Sequence, residues 1–91
     1  MNRIIGIDYG SARTGLAVSD PLGIFASPME TVTSAKIIEY LQNYARTETI
    51  VGFVVGYPLN LDGRPAQAAP EVDRFLEILK KAFPDIPVSL E

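Results

Sequence analysis

The chain has 91 residues, 47% of them apolar, and a formal net charge of -3 from 8 Lys and Arg against 11 Asp and Glu. A domain of this size removes only roughly 60% of its unfolded-chain surface from water, so its stability margin is thin and every large apolar face needs cover. With no Cys and no His, disulfides, thiolate or imidazole metal ligands and histidine bases are excluded, and the acidic balance excludes a broad Lys/Arg grip on phosphates, though not a local basic site.

Residues 3 to 9 and 14 to 19 read as two β-strands, short β-branched or small apolar runs joined by the turn-forming segment Tyr9-Gly10-Ser11-Ala12-Arg13. Nothing before them resembles a signal core, and no apolar run approaches the roughly 20 residues that span a bilayer. Secretion and membrane insertion are therefore not expected, and the cytoplasm is. Asp20-Pro21-Leu22-Gly23 reads as a second turn and residues 24 to 32 as a third strand, placed at an edge because Pro28 cannot donate to a ladder.

From Ser34 the period becomes helical. Ile37, Ile38, Leu41, Tyr44 and Ala45 share a stripe, which predicts a helix over residues 35 to 47 with Ser34 as its N-cap. Residues 50 to 55 form a nearly unbroken apolar run, the pattern of a parallel strand covered on both faces. The loop of residues 56 to 70 is dense in Gly, Pro, Asn and Asp. A second helix then places Val72, Phe75, Leu76, Leu79 and Phe83 on one face, with Pro70 near its first position, Glu71 and Asp73 in its first turn and Lys80-Lys81 in its last. Residues 86 to 90 begin a fifth strand. The order β-β-β-α-β-α-β, with right-handed crossovers, predicts one α/β domain holding a mixed sheet in the order 3-2-1-4-5.

In that sheet Asp8 and the loop starting at Gly56 emerge at the same carboxyl edge, where open α/β sheets place ligands. A carboxylate ending a central strand, partly desolvated, calls for a cation: a divalent metal, Lys or Arg. The alternative is that Asp8 caps the turn by accepting from the amides of residues 10 to 12. In the turn, Gly10 and Gly15 allow close backbone approach, Ser11 and Thr14 offer hydroxyls, and Arg13 presents a fork suited to phosphate. Asn60 and Asp62 could reach back over the same edge as ligands or substrate contacts, although Asp62-Gly63 is also an ordinary turn pair. Asp20 reads as structural.

Two stretches, IIGIDYGSARTGLAVSDPLGIFASP and IVGFVVGYPLNLDGRPAQAA, closely resemble the YqgF/RuvX family, Holliday-junction-resolvase-like proteins linked to pre-16S rRNA processing. The family motifs D-[YF]-G-x-x-R-x-G-x-A-x-[ST]-D and G-x-P-x-x-x-D-G are both present in full, from Asp8 to Asp20 and from Gly56 to Gly63. The resemblance implies an RNase H-like fold and a nuclease that hydrolyses phosphodiesters of structured RNA or branched DNA, using Mg²⁺ or Mn²⁺ held by acids. Asp8 matches the first metal-binding acid, while Gly10, Arg13 and Gly15 match the turn, and Gly56, Pro58, Asp62 and Gly63 the middle loop.

The family continues beyond the fifth strand into a D-E-R segment and a late helix that supply further acids. Glu91 falls one or two positions early for that glutamate. The resemblance therefore implies a shortened chain that holds metal weakly, cleaves slowly or not at all, and exposes part of its sheet to self-association. Two other classes remain open: a binding module without catalysis for nucleic acid or protein, and an actin-like half-domain that binds ATP phosphates.

Overall fold

The computed structural model describes residues 2–19 and 25–91, and side chains throughout these except at residues 25–28. The turn expected at residues 20 to 23 lies outside the described residues. Five strands form one sheet in the order β3-β2-β1-β4-β5: β1 (Asn2–Asp8), β2 (Arg13–Ser19), β3 (Phe25–Thr33), β4 (Thr49–Val55) and β5 (Val88–Leu90). β1 pairs antiparallel with β2 and parallel with β4, so the two most apolar strands sit at the centre, as their composition predicts. Helix α1 (Ile37–Tyr44) follows β3 and α2 (Ala69–Ala82) follows β4.

The period of two sorts the sheet into unlike faces. Ile5, Ile7, Leu16, Phe53 and Val55 are buried in one cluster with Ile37 and Leu41 of α1 and Val72, Phe75, Leu76 and Leu79 of α2. The register pairs Gly6 with Ala17 and Val54, and Asp8 with Gly15, on the opposite face. None of those residues is buried. At the amino end of β1 the register shifts: Arg3 pairs with Ile50 but Ile4 with Gly52. That leaves Val51 without a counterpart and 42% exposed, and it turns Ile50 as well as Phe53 toward the helices.

Three expectations are corrected. The first helix is shorter than residues 35 to 47: Ser34–Lys36 is a single 3₁₀ turn and the α-helix ends at Tyr44. Ser34 is not its N-cap, because Thr33 and Lys36 occupy the capping positions without a side-chain bond, and the Ser34 hydroxyl is engaged elsewhere. β4 is covered on one face only among the described residues, so its apolar run reflects its central place and the shift at Val51. The second helix agrees with its sequence, with Pro70 in its first turn, Glu71 at its positive end and Lys80 and Lys81 at its negative end.

Candidate functional site

Asp8 is the last residue of β1, and the alternation that buries Ile5 and Ile7 puts it on the open face. Tyr9 then turns to the covered side, where its ring stacks on Phe75 of α2 with centroids 4.5 Å apart and 19° between planes. The chain end of the central strand is thereby clamped from below while the carboxylate stands above. Asp8 is exposed rather than partly desolvated, because no helix covers that face among the described residues. Its carboxylate has no hydrogen-bond or ion-pair partner among them, so it does not cap the turn.

Two hollows meet at Asp8. The larger, about 480 Å³, runs along the open face over Gly6, Gly15 and Ala17 and is edged by Glu30 and Glu91. The smaller, about 240 Å³, lies at the carboxyl ends of β1 and β4 between Tyr9, Gly56, Tyr57, Pro58 and Glu91. Glu91 reaches both because the ladder continues past β5: its N–H donates to the Val55 carbonyl at 3.0 Å, and its carbonyl accepts from the Tyr57 N–H at 2.8 Å. Tyr57 donates its hydroxyl to Asp73 of α2 at 2.9 Å. That bond, with smaller contributions from burial and from the Asp73 charge, raises the phenol above its ordinary value of 10.0.

The turn Tyr9-Gly10-Ser11-Ala12 is held from outside itself. A Cβ on Gly10 would collide with the Arg13 carbonyl oxygen, so only glycine fits this close approach. The Ser34 hydroxyl donates to the Gly10 carbonyl and lies 2.7 Å from the Thr14 hydroxyl, which is fully buried. Ser11 and Arg13 are exposed beside Asp8 in sequence, with Arg13 opening β2.

The loop of residues 56 to 68 holds itself. Leu59 bridges Pro65, the Asn60 N–H donates to the Arg64 carbonyl at 2.8 Å, and Gly63 takes a left-handed φ of 83° at the tip. The Asp62 carboxylate accepts from the Arg64 N–H at 3.0 Å and pairs with its guanidinium at 3.8 Å. Asn60 and Asp62 are exposed on this hairpin and line neither hollow with Asp8, whereas the stem residues Gly56, Tyr57 and Pro58 do line one. Sequence reasoning missed Tyr57 and the role of Ser34, and it named Thr14 only as a hydroxyl of the turn, without its contact to Ser34. Local signals existed for Thr14 and Tyr57, inside the Asp8 to Asp20 and Gly56 to Gly63 motifs.

The strand order with an acid ending the central strand is that of the RNase H-like class of α/β folds. A ROK family protein from Streptococcus pneumoniae TIGR4, solved in complex with sucrose, shares this fold at a TM-score of 0.56 and 19% identity, over 98% of this chain and 34% of that one. The chain belongs to the RuvX family: the family model described as "RuvX: Holliday junction resolvase" matches residues 2–91. Relatives from Amoebophilus asiaticus (strain 5a2) and Chlorobium phaeobacteroides (strain BS1), both carrying the name "Putative pre-16S rRNA nuclease", are 42% and 44% identical to it. The matches cover 93% and 97% of this chain but 60% and 61% of those proteins. The chain thus spans about three fifths of the length of the curated relatives it matches.

Proposed function

We propose that the chain provides the Asp8 side of a nuclease that hydrolyses a phosphodiester in nucleic acid, with Mg²⁺ or Mn²⁺ as cofactor. The observation that carries this reading is the Asp8 carboxylate, unpartnered among the described residues at the edge where β1, β4 and the Gly56 loop meet. The names of the relatives favour precursor 16S rRNA over branched DNA as substrate. The cytoplasm, where that RNA is processed, is the compartment that fits.

The residue types suit a hard divalent ion, since the oxygen-bearing residues Asp8 and Glu91 line the same hollows. The number of donors is small: no group of three or more acidic, His or Cys side chains able to hold an ion occurs among the described residues. A bound pair of such ions supplies water activation and leaving-group stabilisation in phosphodiester hydrolysis. The residues of this chain hold and orient. Asp8 offers a fixed carboxylate on a rigid strand end, Arg13 and Ser11 engage the substrate phosphates beside it, and Gly10 lets the backbone approach closely. Asn60 and Asp62 contact nucleic acid farther out, beyond the scissile group.

With so few acidic donors among the described residues, the 91-residue chain binds the ion weakly and cleaves slowly. The test is cleavage of a precursor-rRNA fragment in Mn²⁺ by the chain and by Asp8→Asn, together with Mn²⁺ broadening of the resonances around residue 8. Loss of cleavage and of local broadening in the variant is expected. Equal cleavage by both proteins, or broadening that ignores the substitution, would overturn the assignment.

A further inference from the structure

The β2 to β3 ladder does not stop at its last paired residues. Arg13 pairs with Thr33, and one rung further the Ser34 N–H donates to the Ala12 carbonyl at 3.0 Å. That rung sets the Ser34 side chain beneath the turn that follows Asp8. A carbonyl can only accept, so the single Ser34 proton goes to Gly10, and the Thr14 hydroxyl must donate to Ser34 in turn. Two carbonyls of the turn, Gly10 and Ala12, are thus drawn inward onto one residue more than twenty positions away in sequence from the first of them. The amides of Gly10, Ser11 and Ala12 have no acceptor among the described residues.

We propose that Ser34, backed by Thr14, is a positioning residue of the site: it fixes the turn with its carbonyls inward, leaving the amides of Gly10 to Ala12 to meet a substrate phosphate beside Arg13. The proposal rests on the reading that this edge binds nucleic acid. It adds the element that orients the turn, which no motif of the sequence contains. Successive amides facing one way form a concave anion-binding surface. The turn has no internal backbone bond among those described, and its Gly10 and Ala12 carbonyls are held from outside it, by the Ser34 hydroxyl and the Ser34 N–H.

The experiment is titration of the ¹⁵N-labelled 91-residue chain with inorganic phosphate, following the amides of residues 10 to 13 in the wild type, Ser34→Ala, Ser34→Thr and Thr14→Val. Ser34→Ala removes the hydroxyl but leaves the backbone rung to Ala12. The expected result is a phosphate response at Ser11 and Ala12 in the wild type, weakened about three- to tenfold in Ser34→Ala, the effect of one ordinary hydrogen bond. Ser34→Thr restores it to within about twofold, and Thr14→Val loses an intermediate amount. Spectra that match the wild type away from the turn show that the variants fold, and if Ser34→Ala does not, Thr14→Val against Thr14→Ser makes the same comparison. Undiminished phosphate binding in Ser34→Ala, or failure of Ser34→Thr to restore it, overturns the proposal. A wild type whose turn amides ignore phosphate overturns it too, while the hydrolase reading is judged separately by the Asp8→Asn cleavage test.

Discussion

Phe53 and Val54 are consecutive in β4 and differ in almost everything that matters. Phe53 is 1% exposed, packed in the helix-covered cluster with its ring 5.3 Å from that of Phe83. Val54 looks onto the open face, over the hollow that Gly6, Asp8 and Gly15 share. The covered face is filled by large aliphatic and aromatic side chains and provides the burial that stabilises the domain. Around the hollow the open face carries the small residues Gly6, Gly15 and Ala17 beside Val54 and Thr31, and with them the carboxylate that is unpartnered among the described residues. Stability and chemistry are thus segregated across a sheet one residue thick, and the alternation of a β-strand is what permits it.

The largest expected effect tests that segregation directly. Phe53→Ala should cost about 3 to 5 kcal/mol and leave the domain largely unfolded, whereas Val54→Ala should cost about 1 kcal/mol or less. Urea unfolding of the two variants checks this, and comparable losses would mean that the open face is covered in solution. The rim where the faces meet comes next. Gly10→Ala forces a side chain against the Arg13 carbonyl and should cost about 1 to 3 kcal/mol, with the shifted resonances confined to residues 8 to 14 and 34.

The smallest effect sharpens the picture at the same rim. Asp73 holds the Tyr57 hydroxyl and raises its pKa, so the phenol bond is intact at neutral pH. Because the folded value lies above the unfolded one, the contact persists through the ordinary titration range and is lost as pH rises through the raised value. Asp73→Asn should move the Tyr57 phenolate transition, followed by ring NMR, downward. An unmoved transition would show that burial and not the carboxylate sets it.

Much of this architecture is legible in the residues. The strands and the helix at Ala69–Ala82 follow from apolar runs, end charges and turn formers of period 2 or 3.6, and the strand order with Asp8 at the end of a central strand follows from the element order and right-handed crossovers. The first helix was less legible: its stripe continues through Ala45, but the ladder to β2 holds Ser34 and its last residues form a turn. The Ser34 hydroxyl departs from its sequence expectation for the same reason. Ser before a helical pattern is normally a cap, and only the neighbouring strand shows that a carbonyl 24 residues away claims the proton.

By itself, then, the amino-acid order determined the sequence of elements, the buried stripe of the second helix and the family motifs from Asp8 and from Gly56. Those are properties of short stretches, settled by periodicity and by backbone preference. Only the tertiary structure decided that Asp8 stands exposed without a partner among the described residues, that Asp62 closes its own hairpin with Arg64, and that Thr14 and Ser34 grip the turn. Hydrogen bonds between residues distant in the chain depend on strand register, and register is a balance of the whole sheet that no local stretch contains.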